Sequence, residues 1–264
     1  MASGKRWTRD ELTVALGIYH SLTFGQFHAR QPVIIQLAGK LGRTPGSVAM
    51  KLCNFASLDP ALKMRGIKGL AGAGKLDREM WDDFHQHPLE VVPESRELLH
   101  RMFNVAPGAE LEVLPGKGIK VRRVPTGETE VLANVKQRRG QEYFRDAVIN
   151  NFGGACGVTG IPVRELLVAS HILPWRSHAS ERLNVRNGLS LSRLHDAAFD
   201  RGLITFDENL CMVLSPALKR HFPQRGIVEN FGTYEGQRLM IPDDAALPES
   251  TFLSNHREGI FVKK

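Results

Sequence analysis

The chain has 264 residues, a formal charge of +7 from 35 Lys and Arg against 28 Asp and Glu, 42% hydrophobic and 7% aromatic residues, and three cysteines. That length favours two modest domains, each able to bury its own core. No apolar stretch approaches the roughly 20 residues of a membrane span, and Met1–Trp7 lacks an apolar signal core, so no membrane association is expected. Cys53, Cys156 and Cys211 are odd in number and far apart, which builds neither a disulfide framework nor a cysteine zinc knuckle; a reducing cytoplasm is the expected compartment.

The charge is uneven. Residues 1–50 carry six basic and two acidic side chains, residues 117–145 carry eight and three, and the remainder is slightly acidic. Two basic segments on a near-neutral chain suggest footprints for a polyanion.

From Trp7 to about Asp59 the pattern is helical. Thr8 with Glu11 three positions on reads as a capping box before a first helix at about 9–21. Pro32 fits the first turn of a second helix, which Gly42 ends. Thr44 caps a third helix with Pro45 at its first position and Val48, Leu52 and Phe55 as its buried stripe. The tight turn between the last two helices gives a helix-turn-helix arrangement. Its third helix offers Ser47, Lys51 and Asn54, with Arg43 and Thr44 at its start, as candidate DNA contacts.

Residues 60–76 are rich in Gly and Lys without the spacing of a phosphate loop, and read as a mobile connector. Asp77–His85 and Pro93–Phe103 read as two further helices, and Ile119–Val124 as a short β piece. The expected organisation is a helical DNA-recognition domain at 1–104, a linker with short β pieces at 105–135, and a second domain at 136–264. The second domain opens on Lys136, Arg138, Arg139 and Arg145, candidates for phosphate contacts.

Within it, a turn at Cys156–Gly160 precedes an apolar strand at Glu165–Ser170 that ends on His171. Asn187 follows 16 residues later at the start of the next strand-like run, and His195 eight residues after that, on a helix with Asp196 and Asp200. The pattern is β–β–α built around two histidines. Trp175 reads as an anchor of the intervening loop.

The segments Ala169-Ser170-His171-Ile172-Leu173-Pro174-Trp175, Asn187-Gly188-Leu189-Ser190-Leu191 and His195-Asp196-Ala197-Ala198-Phe199-Asp200-Arg201-Gly202-Leu203 resemble HNH endonucleases of the ββα-metal type, closest to the bacterial restriction-type branch. The resemblance extends over roughly half the chain, from Arg138 to the C-terminal tail. It implies an α+β protein: a small helix-turn-helix-like domain followed by a ββα-metal HNH nuclease domain. It also implies His171 as general base, Asn187 as the ordering residue and His195 as a ligand of a divalent cation. Where many such sites carry Asp before the first His, Ser170 stands here: either Ser170 serves as a weaker oxygen ligand, or Asp196 or Asp200 completes the metal shell. Mg²⁺ is the expected ion, with Mn²⁺ or another divalent ion as alternatives. A structural zinc is not expected, since Thr159 occupies the position of a second cysteine. Arg186 and Arg193 adjoin the motif as candidate phosphate contacts.

The function this implies is metal-dependent hydrolysis of double-stranded DNA in restriction of foreign DNA, acting as a homodimer or in two sequential cuts. The rival is a DNA-binding regulator or sensor with a degenerate HNH fold. Against it, the base, the Asn and the second His are all present.

Overall fold

The computed structural model describes residues 6–262 except 107, 124–134 and 176. The chain forms two compact units, residues 1–147 and 148–264. The division falls inside the helix α7 (Val135–Asn151).

The first unit is helical: α1 (Arg9–Tyr19), α2 (Pro32–Leu41), α3 (Pro45–Ala56), α4 (Pro60–Met64), α5 (Lys75–Gln86) and α6 (Pro88–Met102). The local signals are those expected. Thr8 and Glu11 form the reciprocal capping box of α1, Pro32 opens α2, Gly42 closes it in the left-handed region at φ 62°, and Thr44 caps α3. The core joins Leu12 and Leu16 of α1 to Ile34 and Leu37 of α2, Leu52 and Phe55 of α3, and Met80 of α5, all buried.

Two strands lie within residues 109–123. Strands β1 (Ala109–Leu114) and β2 (Gly118–Arg123) pair antiparallel with Leu111 opposite Val121, and β2 packs on α2. The Ile119 amide donates to the Gln36 side chain at 2.6 Å.

Residues 60–76, expected as a mobile connector, hold α4 and make contacts to the end of α3. The Leu70 amide donates to the Cys53 carbonyl at 3.0 Å, and Gly69 sits at φ 61° with its α-carbon against the end of α3. A β-carbon there would meet the Ser57 nitrogen at 2.5 Å and the Cys53 oxygen at 2.8 Å, a close approach that only glycine permits. The sequence shows many glycines; it does not show which of them let backbone pack on backbone.

The second unit is built on an antiparallel hairpin, β3 (Leu167–His171) and β4 (Gly188–Ser192), with Leu167 opposite Ser192 and His171 opposite Gly188. Helix α8 (Arg193–Asp200) follows β4 directly and packs on both strands. A second hairpin, β5 (Ile204–Phe206) and β6 (Met212–Leu214), and the short helices α9 (Pro216–Lys219) and α10 (Arg225–Asn230) lead to α11 (Ser250–Gly259), which packs on β5. Leu167, Leu189, Leu191, Phe199, Ile204, Phe206 and Leu253 belong to one buried cluster.

His256 of α11 lies flat on Phe199, ring centroids 3.8 Å apart, and its two ring nitrogens sit 2.9 Å from the Thr205 hydroxyl and 3.0 Å from the Phe199 carbonyl. Its place is in the core of the unit. Mixed helix with small antiparallel sheets makes the whole an α+β protein. Among the described residues, no helix is long and apolar enough to cross a membrane.

Candidate active site

Strand β3 runs apolar into the hairpin and ends on His171. The ring Nε2 lies 2.9 Å from the backbone carbonyl of Arg182. A carbonyl only accepts, so Nε2 carries the proton and Nδ1 is the basic nitrogen. Burial lowers the pKa of His171, against the opposing pull of the Arg182 carbonyl and of Asp196. The neutral imidazole is therefore the resting form.

Arg182 is itself held. Its Nε donates to the Trp175 carbonyl at 2.8 Å, its guanidinium lies 5.1 Å from the Trp175 ring centre, and that ring stands edge-on to His171 at 5.2 Å. The loop between the strands thus folds back on the histidine it follows. Nothing in a single sequence marks Arg182 for this, because the contact is made by a loop conformation and not by a spacing.

Asn187, 1% exposed, closes the same loop from its far end. Its Oδ1 accepts the Leu173 amide at 2.8 Å and its Nδ2 donates to the Glu181 carbonyl at 3.0 Å, while its own carbonyl accepts the Ile172 amide at 2.9 Å. One buried amide side chain satisfies two backbone groups of the loop.

The turn before β3 is held through sulfur. Cys156 Sγ accepts the Ser192 amide at 3.2 Å and the Thr159 amide at 3.5 Å, and the Gly157 amide donates to the Ser190 carbonyl at 2.7 Å. The turn is thereby fastened to β4 by protein groups.

Helix α8 brings the carboxylates. Ser192 caps it, and Asp196 and Asp200 are one turn apart on one face. Burial and then the nearby Asp196 carboxylate raise the pKa of Asp200, with Arg201 opposing. Asp196 is thus in electrostatic reach of both His171 and Asp200.

Residues 156–207 match the family model described as HNH endonuclease. This part of the second unit is similar to HNH endonuclease domains. The matched span begins at the Cys156 turn and includes His171, Asn187, His195, Asp196 and Asp200; such domains are nucleases. No curated protein matches the chain.

The surroundings of His195 are equally defined. The side chain is 1% exposed, and both nitrogens are committed: Nε2 lies 2.9 Å from the Asn230 carbonyl and Nδ1 2.8 Å from the Ser192 hydroxyl. The Asn230 carbonyl again fixes the proton on Nε2, and Ser192 donates to Nδ1. Phe231 and Tyr234 flank the ring, and burial lowers its pKa. His195 thus links α8 to α10, with a protein partner at each ring nitrogen. Ser170 is 2% exposed and its hydroxyl has no hydrogen-bond partner.

Among the described residues, no group of three or more His, Cys, Asp or Glu is placed to hold a metal ion. Of the expected ligands, the two carboxylates Asp196 and Asp200 both lie on α8. Two carboxylates suit Mg²⁺, which keeps several waters and takes further oxygens from a substrate phosphate.

The candidate DNA contacts fare unequally. Arg43 is buried between the Trp7 ring, 4.0 Å from its guanidinium carbon, and Glu11, 2.7 Å away. Lys51 sits 2.8 Å from both Asp77 oxygens with its side chain 11% exposed, and Asn54 is buried next to Gly72. Only Thr44 and Ser47 of that set reach the surface, and the Thr44 hydroxyl is occupied in capping the Ser47 amide. On the recognition face expected for α3, Lys51 and Asn54 are therefore covered by α5 and the segment before it, and Arg43 by Trp7 and Glu11.

Arg139 pairs with Glu97 and Glu142, Arg138 lies 3.8 Å from Glu110, and Arg145 is half-buried among partners of its own. The Lys136 side chain lies outside the described residues. Arg186 is bonded to Glu249 and to the Leu247 carbonyl, whereas Arg193 is exposed at the first position of α8.

Proposed function

We propose that the chain is a metal-dependent DNA endonuclease in which His171 is the general base and Asp196 and Asp200 form the metal-holding pair, and that its role is restriction of foreign DNA. The observation that carries this reading is the state of His171: neutral through burial, its proton fixed on Nε2, and in electrostatic reach of an acidic pair on α8.

In this reading Nδ1 of His171 takes a proton from water, whose oxygen forms the new bond to phosphorus as the bond to the 3′ oxygen breaks. The products are a 5′-phosphate and a 3′-hydroxyl. The Arg182 carbonyl holds the ring so that Nδ1 stays the acceptor, and Asn187 holds the loop that supplies this carbonyl. Asp196 and Asp200 would hold Mg²⁺ or Mn²⁺; when bound, the ion supplies positive charge for the phosphoryl and leaving oxygens. One site cuts one strand, so a double-strand break needs a homodimer or two successive cuts.

The test is cleavage of supercoiled plasmid in Mg²⁺, Mn²⁺ or EDTA. The expected result is metal-dependent nicking by the wild type, slowed about 10²–10⁴-fold in His171→Ala, the usual contribution of a positioned base, and abolished in Asp196→Asn with Asp200→Asn. Wild-type protein as inert as His171→Ala on every substrate, modified DNA included, refutes the reading.

A further inference from the structure

Removing α3 from the list of DNA-reading surfaces leaves the question of what the first unit presents in its place. The segment that covers α3 is itself distinctive. Between Pro60 and Leu76 the chain has no acidic residue, and Lys63, Arg65, Lys68, Lys75 and Arg78 are all exposed.

Asp77 is the one carboxylate from residue 60 to residue 78, and it is turned inward. It is 4% exposed, bonded to Lys51 through both oxygens and, through Oδ2, to the Gly74 amide at 2.8 Å. Its charge is answered inside the fold, so every exposed ionic group of this stretch is a cation. The nearest exposed carboxylate along the chain, Glu79, lies 3.7 Å from Lys75.

The backbone beneath these cations is fixed. Ile67 donates to the Leu62 carbonyl at 3.0 Å, Leu70 to the Cys53 carbonyl at 3.0 Å, and Gly66 and Gly69 take positive φ to make the turns. Lysines on a random tether would gain little from a rigid polyanion, because ordering the backbone would oppose binding. Here these hydrogen bonds hold the backbone in place without a ligand.

We propose that residues 60–78 are the duplex-DNA contact surface of the first unit, binding the phosphate backbone through Lys63, Arg65, Lys68, Lys75 and Arg78 without reading base sequence. The proposal rests on DNA being the substrate of the HNH domain. It places sequence-independent affinity on a glycine-rich shelf over α3, where the sequence pattern had suggested a reading helix.

The test measures binding of the full-length protein to a fluorescent duplex in EDTA, which separates binding from cleavage, across a series of salt concentrations. The triple variant Lys63→Gln/Arg65→Gln/Lys68→Gln should bind at least about tenfold more weakly near 0.1 M salt, with a log–log salt slope shallower by about 2.7, or 0.9 per lost phosphate contact. The control Arg30→Gln/Lys117→Gln/Lys120→Gln removes the same charge from exposed sites elsewhere in the unit and should keep the wild-type slope. Lys63→Arg/Lys68→Arg preserves the charge and should bind as the wild type does.

If the shelf triple behaves like the control triple, the shelf is not the contact surface, and the nuclease reading stands. If the wild type fails to bind duplex at any salt concentration, the shelf proposal falls together with the reading of DNA as substrate. If polyglutamate displaces the duplex at equal charge concentration, the shelf is a site for acidic protein, which also overturns the proposal.

Discussion

Arg182 acts on His171 through two groups at once. Its backbone carbonyl takes the Nε2 proton, and its guanidinium fastens the loop by bonding the Trp175 carbonyl and covering the Trp175 ring. It touches no reacting atom and is a positioning residue. Arg182→Ala removes the fastening while leaving the carbonyl in the chain, so the loop loosens and water reaches the imidazole. The burial that lowers the His171 pKa then weakens. We expect the acid limb of the wild-type kcat/KM profile below the ordinary histidine value of about 6.5. In Arg182→Ala it should move upward toward that value, with kcat reduced and KM nearly unchanged. A variant that only lowers stability would scale the profile without moving its acid limb, and that outcome would remove Arg182 from this role.

At the scale of elements, Lys51 shows how a correct secondary-structure reading can carry a wrong surface. Thr44, Pro45 and the stripe Val48, Leu52, Phe55 announce α3 with its cap, start and buried face, and the helix is as read. What the periodicity leaves polar, however, is covered by α5, whose Asp77 takes Lys51 into a buried pair. Removing one partner of such a pair strands a buried charge. Lys51→Ala should therefore destabilise the first unit by about 3–5 kcal/mol, read as a lower urea midpoint, and leave the salt slope of DNA binding unchanged. A full-strength fold with weakened DNA binding would return the helix to the DNA surface. The second unit was legible for a related reason with the opposite outcome. His171, Asn187 and the α8 carboxylates are fixed by short local spacings along β3, β4 and α8, so a spacing motif locates them. The partner of His195 at Nε2 is Asn230, 35 residues on, and no local pattern announces a bond to a distant carbonyl.

For the molecule as a whole, buried histidines make stability a function of pH in both units. His20 is the extreme case: burial, then the neighbouring His85, hold its pKa well below the usual value. Its ring lies 5.1 Å from that of Phe84, 4.9 Å from Tyr19 and 5.1 Å from His85, and its Nε2 has no hydrogen-bond partner. Burial also lowers His85 in the first unit, and His171, His195 and His256 in the second. Each of these groups binds a proton more readily in the unfolded chain than in the folded one. Stability is therefore complete above the unfolded value near 6.5 and declines as the pH falls through it toward the lower folded values. Urea midpoints of both units, followed by hydrogen exchange so that each is read separately, should fall between pH 7.5 and pH 5. In His20→Phe the first unit should lose much of that dependence, since phenylalanine fills the aromatic pocket and takes no proton, while the second unit keeps its own. An unchanged acid slope of the first unit in this variant would move the source of its pH sensitivity away from His20.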